Sequence, residues 1–347
     1  MFLTFRWFGA DDPVSLQNIQ QIPGVKGIVS ALYDVPAGDP WPRDRVVRLA
    51  ETVHDAGLEL SVIESIPVHE DIKLGRPTRD RLIDNYAESI RQISAAGGVG
   101  VLCYNFMPVF DWMRTDLAMR LPDGSVTLAF DDAALARIDL SNGTGDLPGW
   151  AHAYTRDEMA ALLAAYRGVT NEQMWEHLAY FLERVVPVAE EFGVAMALHP
   201  DDPPWPIFGL PRIITDCAAL ERVVSLVDRP ANGLTFCTGS LGSRPDNDVV
   251  AMARRFAARR RINFAHCRNV RLTGERRFHE VPHPSAYGDV DMRGVLAALR
   301  DGGFTGPMRS DHGRMIWGEH GRPGYGLHDR ALGATYLSGL WEGLAGH

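Results

Sequence analysis

The feature that most constrains this chain is a rhythm. Along its 347 residues, an apolar β-branched run, a polar or Gly/Pro-containing loop and an amphipathic helical stretch follow one another repeatedly. The runs predict strands at 2–8, 27–32, 58–65, 99–106, 193–200, 233–240, 262–270 and 306–313. Most are continuously apolar rather than alternating, the pattern of parallel strands buried on both faces. Apolar residues at three- and four-residue intervals predict helices at 14–20, 44–56, 79–95, 171–191, 216–227, 246–260, 292–300 and 328–344. Eight strand–helix units point to an α/β chain folded as a closed (β/α)8 TIM barrel. A doubly wound open sheet is the alternative, but its GxGxxG signature after the first strand is missing.

One interval breaks the rhythm. Residues 107–170 separate strand four from its helix, far more than a usual βα loop. The interval holds FDWMRTD, the turn LPDGS and a helical stretch at 155–166, and its Trp, Phe and Met content argues against a disordered linker. The expectation is one barrel domain over 1–347, with 107–170 as an insertion on the strand C-terminal face, able to cover a site or meet a partner subunit.

Composition narrows the class of function. With 46% hydrophobic and 23% charged residues the chain reads as an ordinary globular protein. Its apolar runs are too short to span a bilayer. The opening MFLTFRWFGA is interrupted by Arg6 and followed by no small-residue cleavage site, so it reads as a buried strand and the chain as cytoplasmic. A net charge of −9 disfavours a broad nucleic-acid-binding face. An anionic substrate is still compatible, because screening leaves local Arg and Lys residues in control. The four cysteines, Cys103, Cys217, Cys237 and Cys267, form no CxxC pair and are expected as thiols.

Four possible metal ligands fall at the ends of the last four strands: His199 in ALHPDDPP, Cys237 in TFCTGS, His266 in FAHCRN and Asp311 in RSDHGR. Taken singly, each has a plainer explanation. A lone strand-end histidine is more often a hydrogen-bonded core residue, a lone cysteine a small buried hydrophobe, and a lone aspartate a helix cap. Together they recur at gaps of 38, 29 and 45 residues, each one strand–helix unit. Barrel closure would bring them to one rim, where barrel active sites lie. Their donor types suit a divalent transition metal, though neither HExxH nor CxxC is present.

The stretches TFRWFG, GIVSALYDVP, VIESIPVHEDIKLG, CYNFMPVFDWMRTDLA, HPDDPP, FCTGS, HCRNV, GDVDM and SDHGR…GYGLHDRALG resemble the mannonate dehydratases, in that family's order and over nearly the whole chain. PVHEDIKLG and YNFMPVFDW are the most specific of them. The resemblance implies a xylose-isomerase-like barrel that converts D-mannonate to 2-keto-3-deoxy-D-gluconate and water, and a dimer. It also implies a metal, typically Mn2+, on His199, Cys237, His266 and Asp311. A thiolate by itself favours Zn2+ or Fe2+, and Co2+ is a further option. Ser310 stands where the family pattern has Pro.

Dehydration of such an acid needs a base at C2 and an acid at the departing C3 oxygen. His312 and Tyr325 match positions the family uses for these tasks, with their order left open. Arg6, Trp7, His69, Lys73, Asn105 and Arg268, at or just beyond strand ends, are the candidate substrate contacts; Trp7 could instead cap the barrel and Lys73 be a solvated charge. His279 and His283, in FHEVPHPS, are expected in an exposed loop. Asp201 and Asp202 either support His199 or form a turn, and Asp289 and Asp291 position the next helix. Three rival readings are a divalent-metal sugar isomerase or epimerase, a metal-dependent phosphoesterase acting on DNA, and a non-catalytic barrel-derived binding protein. Cys237 weighs against the first, acidity against the second, and the intact ligand set and Tyr325 against the third.

Overall fold

A computed structural model describes residues 1–138 and 155–345. In chain order its elements begin β1 (Phe2–Arg6), α1 (Leu16–Gln20), β2 (Val25–Ser30), α2 (Arg43–Asp55), β3 (Glu59–Glu64), α3 (Glu70–Lys73), α4 (Arg79–Ala95) and β4 (Val101–Tyr104). There follow β5 (Asp116–Arg120), β6 (Val126–Asp131), α5 (Asp132–Leu135), α6 (Arg156–Ala165), α7 (Asn171–Glu191), β7 (Ala195–Leu198), α8 (Cys217–Leu226) and β8 (Asn232–Cys237). The last are α9 (Thr238–Gly242), α10 (Val249–Ala258), β9 (Ile262–Cys267), β10 (Asn269–Gly274), β11 (Arg277–Val281), α11 (Met292–Asp301), β12 (Pro307–Ser310) and α12 (His328–Ala345).

The eight apolar runs close into a barrel in the order β1-β2-β3-β4-β7-β8-β9-β12, with β12 pairing back to β1 and every pairing parallel. Helices cover its outside. Leu178, Phe181, Leu182, Val185 and Val186 of α7 pack into the main core with Ile83, Tyr86 and Ile90 of α4. Local signals set the helix ends. Thr170 and the Gln173 side chain cap each other's backbone N–H at the start of α7, one residue before the expected start at Asn171.

Side chains two apart on a strand face the same way, and this divides the barrel interior into layers. Val29, Val62, Val101, Cys103, Ala197 and Phe264 form a second, separate buried cluster. Two residues further along their strands come Glu64, Asn105, His199 and His266. Apolar packing thus closes the lower barrel, and polar groups are delivered to its C-terminal mouth.

Two hairpins depart from expectation. The predicted strand at 262–270 is two strands: β9 ends at Cys267, and from Asn269 the chain leaves the barrel as β10. FHEVPHPS is not an exposed loop. It supplies β11, with Phe278, Glu280 and His283 all buried. The hairpin around LPDGS supplies β5 and β6, and the four strands form an antiparallel sheet in the order β10-β11-β6-β5. Apolar contact drives this union: Phe278 stacks on Phe130 at 5.8 Å and meets Trp205 at 6.1 Å. The interval 107–170 therefore contributes β5, β6, α5 and α6, while its stretch 139–154 lies outside the described residues. Among the described residues no helix is long and apolar enough to cross a membrane.

Candidate active site

Barrel closure brings together three of the four strand-end residues with metal-ligand chemistry, and sets the fourth beside them. One donor atom each of His199, Cys237 and His266 lies within 4.8 Å of the others. Asp311 Oδ2 is 3.8 Å from Cys237 Sγ, and Asp311 Oδ1 is 3.8 Å from His266 Nδ1. His199 Nδ1 lies 2.7 Å from the Pro200 carbonyl, which can only accept, so this nitrogen carries the proton and Nε2 remains as a donor atom. Neither ring nitrogen of His266, fully buried, makes a hydrogen bond among the described residues; the carboxylates nearest to them are Glu64, 3.5 Å from Nε2, and Asp311, 3.8 Å from Nδ1. A buried imidazole in that state is costly unless something else occupies its lone pair.

The charges fit a cation. Burial opposes ionisation of the Cys237 thiol, but Arg268, His199 and His266 outweigh it and hold its pKa well below the ordinary thiol range. Ser240 donates to the sulfur from its backbone N–H (3.4 Å) and its hydroxyl (3.1 Å). Burial also opposes charging of His199, and the Cys237 sulfur, followed by Asp311 and Asp202, pushes its pKa up to about 9. Asp311 is held well below the usual carboxylate range despite burial, chiefly by Arg309. Two imidazoles, a thiolate and a carboxylate with unfilled capacity are a donor set that a divalent metal satisfies. A second trio, Glu64, Cys103 and His266, is equally close. There the Cys103 thiol is pushed up by burial and by Glu64, which makes it the poorer ligand.

Around this cluster runs a fully buried web of opposite charges. Arg268 donates from Nε to Asp311 Oδ2 (2.9 Å), from Nη2 to Asp202 Oδ2 (2.6 Å) and from Nη1 to Glu280 Oε1 (3.2 Å). Arg114 grips Asp202 with two bonds, 2.9 and 3.1 Å, and reaches Glu280 Oε1 at 2.7 Å. Gly239 is required for this packing, because a Cβ there would stand 2.5 Å from Arg268 Cγ. Glu64 sits between Arg6 (2.9 Å) and Arg309 (3.0 Å), and Arg309 also reaches Asp311 Oδ1 at 2.7 Å. Arg309 Nε and Nη1, buried, have no hydrogen-bond partner among the described residues. His312 joins the web to a phenol, with Nδ1 2.9 Å from Glu280 Oε1 and Nε2 2.9 Å from the Tyr325 hydroxyl. Burial, then Asp311, push the Tyr325 phenol up, so it keeps its proton.

The whole chain, residues 1–347, matches the D-mannonate dehydratase (UxuA) family. A mannonate dehydratase of Streptococcus uberis is 58% identical over 342 residues, covering 99% of this chain and 98% of that protein. Mannonate dehydratase 2 of Halalkalibacterium halodurans is 53% identical over 345 residues, covering 99% and 100%. The crystal structure of mannonate dehydratase from Streptococcus suis serotype 2 superposes with a TM-score of 0.92 at 51% identity, covering 99% of this chain and 95% of that one. This chain belongs to the mannonate dehydratase family.

In this family member the site opens into a cavity of about 590 Å³. Of the residues singled out from the sequence, Arg6, Asn105, His199, Asp202, Asp311, His312 and Tyr325 line it. Cys237, His266 and Arg268 lie buried beside them, tied in through Asp311. Trp7, His69 and Lys73 do not line it. Trp7 is buried in the main core, and its carbonyl accepts from Ser30 and Tyr33. His69 caps α3, its Nδ1 accepting from the Asp71 N–H at 3.0 Å. Lys73 donates to Glu70 and to the Met107 carbonyl, both at 2.7 Å. It faces a neighbouring cavity, where its charge is already matched. Asp202 supports Arg268 rather than forming a mere turn, and Asp201 accepts from the Ile214 N–H.

Sequence reasoning missed Glu64, Arg114, Glu280 and Arg309. Glu64 and Arg309 had a usable signal, since each is a charged residue near the end of an apolar barrel run, in line with His199 and His266. Glu280 and Arg114 had none, for their burial depends on the second sheet.

Proposed function

We propose that this mannonate dehydratase family member removes water from D-mannonate to form 2-keto-3-deoxy-D-gluconate. The C2–H bond breaks, its electron pair forms the C2=C3 bond, and the C3 hydroxyl leaves with a proton as water. The resulting enol gains a proton at C3 and loses the one on its C2 hydroxyl to become the ketone. The C2 hydrogen is very weakly acidic beside a carboxylate, so both proton transfers need positioned groups. His312 and Tyr325 share them: they touch at 2.9 Å, both line the cavity, and Glu280 and Asp311 stand next to the imidazole and the metal cluster respectively. Arg6 and Arg309 place positive charge on the wall for the substrate carboxylate, and Asn105 is a hydroxyl contact. Arg268 holds Asp311 in place. Trp7, His69 and Lys73 serve by packing and by holding the loops after β3 and β4.

His199, Cys237, His266 and Asp311 would hold a divalent metal, with Mn2+ our choice and Fe2+, Zn2+ or Co2+ the competitors. When bound, it supplies Lewis-acid stabilisation of the negative charge that builds on the substrate oxygens as C2 loses its proton. We further propose that 1–347 acts as one domain with 107–170 as its insertion, that the enzyme works as a dimer in the cytoplasm, and that it engages neither nucleic acid nor membrane.

The observation that carries the reading is buried His266, with no hydrogen bond to either ring nitrogen among the described residues, gathered with His199 and Cys237 next to the His312–Tyr325 pair. The test is protein stripped with chelator, reloaded with Mn2+ and given D-mannonate. A 2-keto-3-deoxy acid should accumulate; no product with any divalent metal would sink the proposal.

A further inference from the structure

Among the described residues, Glu280 is the buried carboxylate of the site that comes from the second sheet and not from a barrel strand or the loop that follows one. It lies on β11, in the antiparallel sheet, where its backbone pairs with Val270 of β10 and its carbonyl accepts from the Thr127 hydroxyl at 2.9 Å. Phe278, two residues earlier on the same face, is locked between Phe130 and Trp205. The side chain therefore has little freedom. Its Oε1 receives Arg114 (Nη2 2.7 Å, Nε 3.1 Å), Arg268 (Nη1 3.2 Å) and His312 Nδ1 (2.9 Å).

An ionised carboxylate only accepts, so His312 Nδ1 carries a proton whatever the charge of the ring. In the neutral ring Nε2 is then bare, and it must accept from the Tyr325 hydroxyl 2.9 Å away. We propose that Glu280 is a positioning residue for the dehydration. It holds His312 in the Nδ1-protonated tautomer with Nε2 turned to Tyr325 and the cavity. A carboxylate behind an imidazole does the same in hydrolase triads, where its loss leaves the wrong tautomer. The inference rests on the assignment of His312 to proton transfer made above. It gives the second sheet a task in the chemistry, because β11 supplies the partner of Nδ1.

Steady-state kinetics on metal-loaded Glu280→Gln, His312→Gln and the double variant test this. Glu280→Gln leaves each arginine a carboxylate partner, Asp202 for Arg114 and both Asp202 and Asp311 for Arg268. It should lower kcat about 100-fold, leaving KM within about threefold and bound metal per chain unchanged. On the residual turnover of His312→Gln, adding Glu280→Gln should cost less than about threefold, because a residue acting through His312 has nothing left to position. An equal loss in both backgrounds, or a loss of bound metal that parallels the loss of kcat, would overturn the proposal in favour of a structural role. If Glu280→Gln is not recovered folded, Glu280→Asp replaces it, keeping the charge but withdrawing it from Nδ1. The same dependence on His312 is expected and the same equality would overturn it. Inactive wild-type enzyme would refute the assigned reaction; active wild type with unimpaired Glu280→Gln refutes only the role of Glu280.

Discussion

Two cavities of nearly equal size, about 590 and 580 Å³, lie side by side at the barrel mouth and share Tyr33, Ser65, Asn105, Met107 and Asp111 in their walls. Both are rich in charged residues, yet their chemistry differs. In the second, Lys73 is matched by Glu70 and the Met107 carbonyl, and the other Glu70 oxygen accepts from the Tyr166 hydroxyl at 2.5 Å. That network closes on itself and ties α3 to the β4 loop and to the turn after α6. In the first, His266 and Arg309 keep buried nitrogens without a hydrogen bond among the described residues, and the Cys237 thiol is held well below its ordinary pKa. A reactive site is marked by held-back capacity, not by volume or by its number of charges.

The contrast can be broken most forcefully at His312. His312→Gln should lower kcat by about 100- to 10,000-fold with bound metal unchanged, read by steady-state kinetics and elemental analysis. Near-normal turnover would remove this residue from the proton transfers. Next comes Cys237→Ser, expected to weaken metal binding by more than about 100-fold, the upper end of what outer-shell changes cause. Chelator competition measures it, and full retention of metal would take the sulfur out of the ligand set. Lys73→Met probes the other cavity. It strips Glu70 of its cation and should reduce unfolding free energy by about 3 kcal/mol, while kcat of the folded protein stays within about threefold. A large fall in kcat without a loss in denaturant midpoint would return Lys73 to the substrate. The mildest change is His69→Ala, which removes a helix cap worth about 1 kcal/mol. Kinetics as in wild type are expected, and a raised KM would argue that the two cavities act as one.

Much of this is legible in the sequence. Parallel strands buried on both faces leave continuous apolar runs, a local mark, so all eight barrel strands could be read with errors of only a few residues. His199, Cys237, His266 and Asp311 could be aligned because each follows its own strand, and barrel closure turns equal position in the unit into nearness in space. The same logic extends to Glu64 and Arg309, had charge near a strand end been weighed as heavily as ligand type.

What tertiary structure alone decided lies where contacts join distant segments. FHEVPHPS carries no mark of burial, and Glu280 becomes an active-site carboxylate only because Phe278 finds Phe130 and Trp205, and because Arg114, 166 residues away in sequence, reaches its Oε1. Likewise, Arg6 ends a barrel strand and Lys73 lies in the loop region after one, yet one faces the reacting cavity and the other its closed neighbour. A strand dictates which way its own side chains alternate. Which partner a long charged side chain meets beyond the strand end is settled by the elements packed around it, and these come from elsewhere in the chain.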